Sequence, residues 1–281
     1  MNDGPVEAGR VGVAVIIAAK DEEARIGDTV RAARTLPDVD LVLVVDDGST
    51  DDTAGVATEA GARVVRHSRN QGKGAAIESG AEGVRLIEEH EGATGGPVRA
   101  RHLLFLDADL RSTASGAAPL IEPVRSGAAD MTIALFPATR TRLGGHGFVV
   151  RLARDGIRRA TGWEAEQPLN GQRCITREAF ENARPLAAGF GAETGLTIDV
   201  LHLGYRVVEV DVPMEHRPTG TDMKAQLHRA RQFAEVGRAL AERELRPAMV
   251  RRARRWRENV RSTSRALSRK VIQTRHGKHP R

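Results

Sequence analysis

The strongest constraint on the fold is a repeated change of pattern in the first half of the chain. Short apolar runs rich in β-branched residues alternate with longer stretches in which apolar residues recur at helical spacing. Three of the runs lack polar alternation and are typical of strands buried on both faces: Val11–Ala19, Leu41–Val45 and Leu103–Leu106. A chain that alternates between such strands and helices forms an open, mostly parallel sheet flanked by helices.

The same two periods predict the remaining elements. We expect helices over Asp21–Leu36, Gly72–Leu86, Val149–Thr161, Arg177–Ala183 and Thr194–Leu203, and one that is capped by Ser49 or Thr50 and ends at Ala60. We expect short strands over Arg63–His67, Met131–Phe136 and Tyr205–Val212, a further segment Gly171–Ile175, and a loop over Glu91–Pro97. This order describes one α/β domain over residues 11–244, with halves at 11–136 and 137–244, after a disordered N-terminus at 1–10.

The charge of the chain is divided unevenly. Residues 245–281 hold 13 lysine and arginine residues and one acid, Glu258, so this tail has a net charge of +12. Because the whole chain has a net charge of +6, residues 1–244 have a net charge of −6. Apolar residues of the tail fall on one stripe of a helix: Met249, Ala253, Trp256, Val260, Leu267 and Val271. A basic amphipathic helix of this kind can lie on an anionic membrane, or pack on the body or a partner subunit. A nucleic-acid partner is disfavoured because no recognised binding fold accompanies the charge.

Cysteine content and the apolar runs indicate where the protein works. The single cysteine, Cys174, excludes an internal disulfide, fits a reducing compartment and suits a small buried position. Residues 1–10 lack the apolar stretch of a signal peptide, and Val11–Ala19 is far shorter than a bilayer-spanning helix. We therefore expect a cytoplasmic protein, either soluble or peripheral on the inner face of the plasma membrane.

Carboxylates follow the apolar runs at the points where the strands end. Asp107 and Asp109, separated by Ala108, come directly after one such run. Ligands of open parallel sheets bind at this edge, and carboxylates there can hold a divalent ion that neutralises a departing diphosphate. We predict that Asp109 binds Mg2+ or Mn2+, with the imidazole of His216 as a further ligand beyond the last strand.

Two other segments suit a nucleotide. Asp47 follows the second apolar run, and its carboxylate can accept hydrogen bonds from a uracil or ribose edge. Lys73 lies between two glycines at an expected helix start, where backbone N–H groups and the ammonium face an anion together. The spacing is not that of a P-loop.

Four segments, in this order, resemble the family 2 glycosyltransferases of GT-A fold: Ile16–Glu23, Val45–Thr53, Asn70–Gly74 and Asp107–Asp109. The second half, through Gly189–Leu196 and Glu215–Arg217, resembles the glucosyl- and mannosyl-3-phosphoglycerate synthases, and polyprenyl-phosphate sugar transferases are also similar. The resemblance implies a metal-dependent enzyme that moves a hexose, glucose or mannose, from a UDP- or GDP-linked donor.

The resemblance also implies roles for individual residues. The donor would be held by Ala18, Ala19, Lys20, Asp21, Glu22, Asp47, Lys73, Asp107 and Ala108, and the metal by Asp109 and His216. The acceptor would lie against Gly145, His146, Gly147, Gln172, a glycine loop at Gly191, and Glu193. Asp109 and Glu193 would be the catalytic residues. If the enzyme inverts the anomeric centre, Glu193 is the candidate base, and if it retains that centre, Glu193 orients the acceptor.

One departure from the phosphoglycerate enzymes concerns the acceptor. Their glycine loop continues into Arg-Val-Thr, which binds the acceptor phosphate, whereas Gly147 and Val149 stand at the arginine and threonine positions here. The acceptor therefore stays open between a sugar, a phosphorylated small molecule and a lipid phosphate. A homodimer stays open as well.

Two other classes of function remain as alternatives. A sugar-1-phosphate nucleotidyltransferase would place a glycine-rich loop with Thr-Arg after the first strand, where this chain has Ala18–Glu22. A non-catalytic protein that acts through its basic tail would have no need for Asp107, Asp109 and His216. A failure to bind any nucleotide sugar would favour the non-catalytic protein.

Overall fold

A computed structural model of the protein describes residues 11–95, 100–137, 147–189, 191–214 and 223–244, with backbone alone for 223–231 and 244. The strands are β1 Val13–Ala19, β2 Val39–Asp46, β3 Arg63–Arg66, β4 His102–Asp107, β5 Met131–Leu135, β6 Arg173–Ile175 and β7 Val207–Asp211. They form one sheet in the order β3-β2-β1-β4-β6-β5-β7. Strand β6 runs antiparallel to β4 and β5, and the other pairs are parallel. The predicted mostly parallel α/β fold is confirmed.

Helices flank this sheet. They are α1 Glu23–Ala33, α2 Thr53–Glu59, α3 Lys73–Ala93, α4 Ile121–Arg125, α5 Gly147–Thr161, α6 Arg177–Ala183, α7 Gly191–His202 and α8 Met223–Glu244, with a 3-10 helix Arg111–Leu120 before α4. Among the described residues, none of these helices combines the length and apolar character needed to cross a bilayer.

Apolar side chains on both faces of the sheet explain the unbroken apolar runs. Along β1, Val15 and Ile17 pack in one core with α1 and α4, while Ile16 faces the opposite core with α3 and α6. Burying both faces of a central strand removes large apolar areas from water, at about 25 cal/mol per Å². Cys174 on β6 is buried as expected, and burial raises the pKa of its thiol to about 12.

Two sequence-based boundaries were wrong. Helix α3 continues to Ala93, through the start of the expected loop, because Glu88 in its last turns is buried and pairs with Arg177 of α6 at 3.0 Å. Helix α2 begins at Thr53 and has no side-chain cap from Ser49 or Thr50. The Ser49 hydroxyl instead accepts a hydrogen bond from the Asp21 amide at 2.9 Å.

The structure also contains elements that the sequence pattern did not predict, namely the 3-10 helix with α4, and α8. Helix α8 lies against α5 and α7 at positions where those helices carry glycine. A Cβ atom at Gly191 would lie 2.6 Å from the Cβ of Ala239, and one at Gly195 would lie 2.7 Å from the Arg243 guanidinium carbon. These glycines let α8 approach closely and bring Leu240 into a core with Ile157.

A helix glycine beneath the sheet gives a stability test. A Cβ atom at Gly80 of α3 would overlap the Cγ2 of Ile16 and lie 3.3 Å from that of Val45. We expect Gly80→Ala to lower the free energy of unfolding by about 1–3 kcal/mol, the range for overpacking a core. Gly237 of α8 has open space around its Cα, so Gly237→Ala should raise stability by about 0.5–1 kcal/mol. Urea unfolding followed by circular dichroism measures both, and equal effects of the two variants would contradict the packing described.

Candidate active site

The carboxyl ends of β1, β2 and β4 meet at one edge of the sheet. In the strand registers, Ala18 lies beside both Val45 and Asp107, and Ala19 lies beside Asp46. The Asp47 amide donates to the Ala19 carbonyl at 2.8 Å. The residues predicted to hold the donor after these three strands are therefore neighbours in space, as expected for a ligand site at this edge.

Lys73, the first residue of α3, lies between two carboxylates. Its Nζ is 2.6 Å from Asp107 Oδ1 and 2.9 Å from Glu193 Oε1, which joins the end of β4 to the start of α7. Burial opposes the charge, but the two carboxylates outweigh it and raise the pKa of Lys73 well above its usual value. A Cβ atom at Gly171 would meet this ammonium and lie 3.1 Å from Asp107 Oδ1, so a side chain there would displace the ammonium from its present position.

Gln172 is hydrogen-bonded to Asp107 of the same cluster. Its side-chain amide donates to Asp107 Oδ2 at 2.9 Å, and the residue is 1% exposed. Gln172 Oε1 is buried and has no hydrogen-bond partner among the described residues. The residue predicted to contact the acceptor is thus placed beneath Asp107, where it fixes the direction of that carboxylate.

Glu193 stands in the first turn of α7 and is held through its backbone by Arg173. The Arg173 guanidinium donates to the Glu193 carbonyl and to Thr197 Oγ1, each at 2.8 Å. Arg173 is fully buried, and burial lowers its pKa to about 10 although the charge of Glu193 acts in the opposite direction. Sequence reasoning missed Arg173, for which an arginine inside an apolar strand was the only signal.

The predicted glycine loop on the acceptor side is wrong, because its residues lie in a helix. Gly191 and Glu193 belong to helix α7, and Gly191 is buried against α8, where any larger side chain would meet Ala239. Packing against α8 is therefore the physical reason for this glycine. Gly147 is the first residue of α5, and Val149 is buried in the same helix.

Asp47 is engaged with the protein on both of its oxygens. Oδ1 accepts from the Gln71 amide and lies 2.8 Å from His67 Nδ1, while Oδ2 accepts from the Gly72 amide at 2.8 Å. His67 Nε2 in turn lies 2.9 Å from Ser79 Oγ. Asp47 therefore fixes the turn that starts α3 and, with it, the backbone of Lys73.

The loops after β1 and β2 are joined by reciprocal hydrogen bonds. The Glu22 amide donates to Thr53 Oγ1 at 2.8 Å, and the Thr50 amide donates to Asp21 Oδ1 at 2.8 Å. Hydrogen bonds from Lys20 and then from the Thr50 amide lower the pKa of Asp21, which adopts a left-handed φ of 55°. The segment predicted to contact the donor is thus held by hydrogen bonds to the loop after β2.

Asp109 differs from its neighbours because its carboxylate is not paired. It is partly exposed and has no hydrogen bond or ion pair to another described residue, although its charge helps raise the pKa of Arg25, which is paired mainly with Glu22. Within the described ranges, no group of three or more histidine, cysteine or acidic side chains could hold a metal. Mg2+ in proteins is often held by one or two carboxylates plus substrate phosphates, so a single free carboxylate fits such an ion.

Three predicted site residues lie outside the described residues: Gly145, His146 and His216.

Comparison with known proteins places the chain in a family. The model of the family described as "Glycosyl transferase family 2" matches residues 14–149. A glucosyl-3-phosphoglycerate synthase of Mycolicibacterium paratuberculosis is 30% identical over 250 residues, which cover 83% of this chain and 70% of that protein. The chain belongs to glycosyltransferase family 2. The predicted resemblance is confirmed. A second relative, glycosyltransferase AglJ of Haloferax volcanii, is 31% identical over 185 residues, which cover 64% of this chain and 56% of AglJ.

Solved structures support the same family 2 assignment. The crystal structure of glucosyl-3-phosphoglycerate synthase from Mycobacterium tuberculosis matches with a TM-score of 0.63 and 27% identity, and the match covers 84% of this chain and 81% of that one. A complex of that synthase with Mn2+, uridine diphosphate and phosphoglyceric acid matches with a TM-score of 0.60, 27% identity and coverage of 84% and 79%. The GT-A fold predicted from the sequence is therefore confirmed.

The position of Lys73 gives a test of donor binding. We expect Lys73→Met to weaken the binding of UDP by roughly ten- to a hundredfold, the cost of about 1.5–3 kcal/mol for losing a charge-assisted contact. Arg85→Met is the matched control, because it removes a cation from the same helix where Arg85 pairs with Glu82 and Glu89. Isothermal titration calorimetry measures both dissociation constants. Equal affinities for Lys73→Met and the wild-type protein would show that Lys73 serves only the ion pairs seen in the structure.

Proposed function

We propose that this family 2 protein is a metal-dependent hexosyltransferase that takes glucose or mannose from a nucleotide diphosphate sugar, with UDP favoured over GDP. The observation that carries the proposal is the ion-paired Lys73 at the sheet edge, together with Asp109, which follows Asp107 by two residues and whose carboxylate pairs with no described residue. Solved complexes of the M. tuberculosis synthase with UDP and either Mn2+ or Mg2+ support both the donor class and the ion.

Asp109 would hold the divalent ion together with the donor diphosphate, and His216 would be its second protein ligand. The ion supplies Lewis-acid neutralisation of the leaving diphosphate. The oxygen chemistry of a free carboxylate suits Mg2+ and Mn2+. Asp107 is committed to Lys73 and Gln172, so its part is to hold Lys73 in place at the edge of the nucleotide site.

Lys73 and Glu193 divide the remaining chemistry between donor and acceptor. Lys73 carries a fixed positive charge, and a cation held in this way stabilises negative charge that develops on the departing diphosphate. Glu193 faces Lys73 from the other half of the chain and would contact the attacking acceptor. It acts as the base if the anomeric centre is inverted and orients the acceptor hydroxyl if that centre is retained.

For the acceptor, we propose a phosphorylated small molecule. The support is the phosphoglyceric acid present in the matched complexes of the synthase. Val149, which the resemblance aligns with the threonine of the expected phosphate-binding motif, is buried here, and Gly147 has no side chain. The phosphate of an acceptor would therefore be bound by other groups, which allows a different phosphorylated hydroxy compound or a lipid phosphate instead of phosphoglyceric acid.

We propose that this reaction takes place in the cytoplasm.

The metal proposal is tested on turnover. With UDP-glucose and 3-phosphoglycerate, and with a panel of other donors and acceptors, a chelator should abolish transfer and Mn2+ should restore it. Asp109→Ala should lower turnover by more than about a hundredfold, because the ion supplies several kcal/mol of stabilisation. Asp28→Ala removes an exposed carboxylate on α1 that pairs with Arg31 and should leave turnover unchanged. Full activity in chelator, or in Asp109→Ala, would overturn the metal assignment.

We propose further that residues 245–281, which lie outside the described residues, tether the enzyme to anionic membrane. The net charge of +12 supports this, since each lysine or arginine near such a surface contributes about 1 kcal/mol. The protein should sediment with vesicles containing phosphatidylserine at low salt and be released as salt shortens the Debye length. Removal of 245–281 should abolish sedimentation. Vesicle binding that survives the truncation would exclude the tail as tether, and loss of an oligomer on truncation would indicate a subunit contact instead.

A further inference from the structure

We propose that Thr29 is a positioning residue for the metal-binding loop, whose buried hydroxyl ties both sides of Asp109 to helix α1. The inference rests on the proposed function, in which Asp109 holds the divalent ion. Thr29 is 0% exposed and stands 80 residues before Asp109 in the chain. Because it is buried beneath the loop, it acts through the loop backbone.

A single oxygen atom of Thr29 makes both contacts. Thr29 Oγ1 donates to the carbonyl of Ala108 at 2.8 Å, and the amide of Arg111 donates to Thr29 Oγ1 at 2.8 Å. The carbonyl of Arg25 in the same helix is farther away, at 3.3 Å, so the hydroxyl proton is directed mainly to Ala108. A hydroxyl can donate and accept at the same time, which valine, although similar in shape, cannot do.

The loop between these two contacts is short and strained. Ala108 directly precedes Asp109, and Arg111 follows it by two residues with a left-handed φ of 52°. Such a conformation persists in a residue other than glycine only where the surroundings hold it. Leu110 is buried within the same turn. The Thr29 hydroxyl therefore holds the strained turn closed and sets the direction of the Asp109 side chain.

The direction of this carboxylate matters for the ion it would hold. Mg2+ demands near-ideal octahedral geometry, so a ligand that swings freely binds it poorly. Loss of a group that orients a metal ligand typically lowers metal affinity by about ten- to a hundredfold. Thr29 meets this description through the backbone on both sides of Asp109.

The experiment compares Mn2+ binding in the presence of UDP for the full chain and three variants, by electron paramagnetic resonance of the free ion. We expect Thr29→Val to weaken Mn2+ binding by about ten- to a hundredfold, and Thr29→Ser, which keeps the hydroxyl, to bind close to the wild-type level. Thr132→Val is the matched control, since Thr132 is also 0% exposed and donates to the Leu120 carbonyl at 2.7 Å, at the far end of the 3-10 helix that follows this loop. It should lose stability but keep its Mn2+ affinity.

Each other outcome has a defined meaning. Wild-type Mn2+ affinity in folded Thr29→Val, or an equal loss in Thr132→Val, would overturn the positioning role. If Thr29→Val does not fold, Thr29→Ala and Thr29→Ser carry the comparison, and equal affinity in these two would overturn it in the same way. Wild-type Mn2+ affinity in Asp109→Ala would instead overturn the metal site, and would thereby locate the failure in the proposed function.

Discussion

Lys73 lies between carboxylates that come from different parts of the chain, and the arrangement of the site follows from the need to balance these charges. Asp107 is the last residue of β4. Glu193 belongs to α7, which follows the antiparallel strand β6 and helix α6 in the chain. Two carboxylates that share one ammonium in this way repel each other, and the cation between them offsets that repulsion. The ammonium therefore joins the nucleotide-binding half to the half expected to hold the acceptor. The backbone close approach at Gly171 and the amide of Gln172 both serve this one contact.

Much of the fold could be predicted because two rules act locally. Strands buried on both faces must be apolar throughout, which made β1, β2 and β4 visible in the sequence. Parallel strands present their carboxyl ends at one edge, so the sequence pattern alone predicts that Asp47, Asp107 and Ala18 lie close together. The family resemblance contributed the part that no local rule supplies, namely that Lys73 and Glu193 belong to one site.

The features that the sequence did not reveal depend on partners far away in the chain. The resemblance implied an acceptor-side role for Gln172, but no sequence pattern indicated its contact with Asp107 or the contact between Arg173 and the Glu193 carbonyl. Among its described side chains, helix α8 buries Val236, Ala239, Leu240 and Arg243, which alternate with exposed residues and give a weak apolar pattern. The glycines that pack against it lie on α5 and α7. Ser49 was expected to cap a helix, but the Asp21 amide competes for the same hydroxyl.

The hydrogen bonds between the loops after β1 and β2 have a consequence for how the sequence can change over evolutionary time. Asp21 accepts from the Thr50 amide while its own amide donates to Ser49, and the Glu22 amide donates to Thr53 Oγ1. A substitution in one loop therefore removes a partner from the other and needs a compensating change there. The two segments are separated in the chain by the whole of α1 and β2. Their residues should nevertheless covary among homologues.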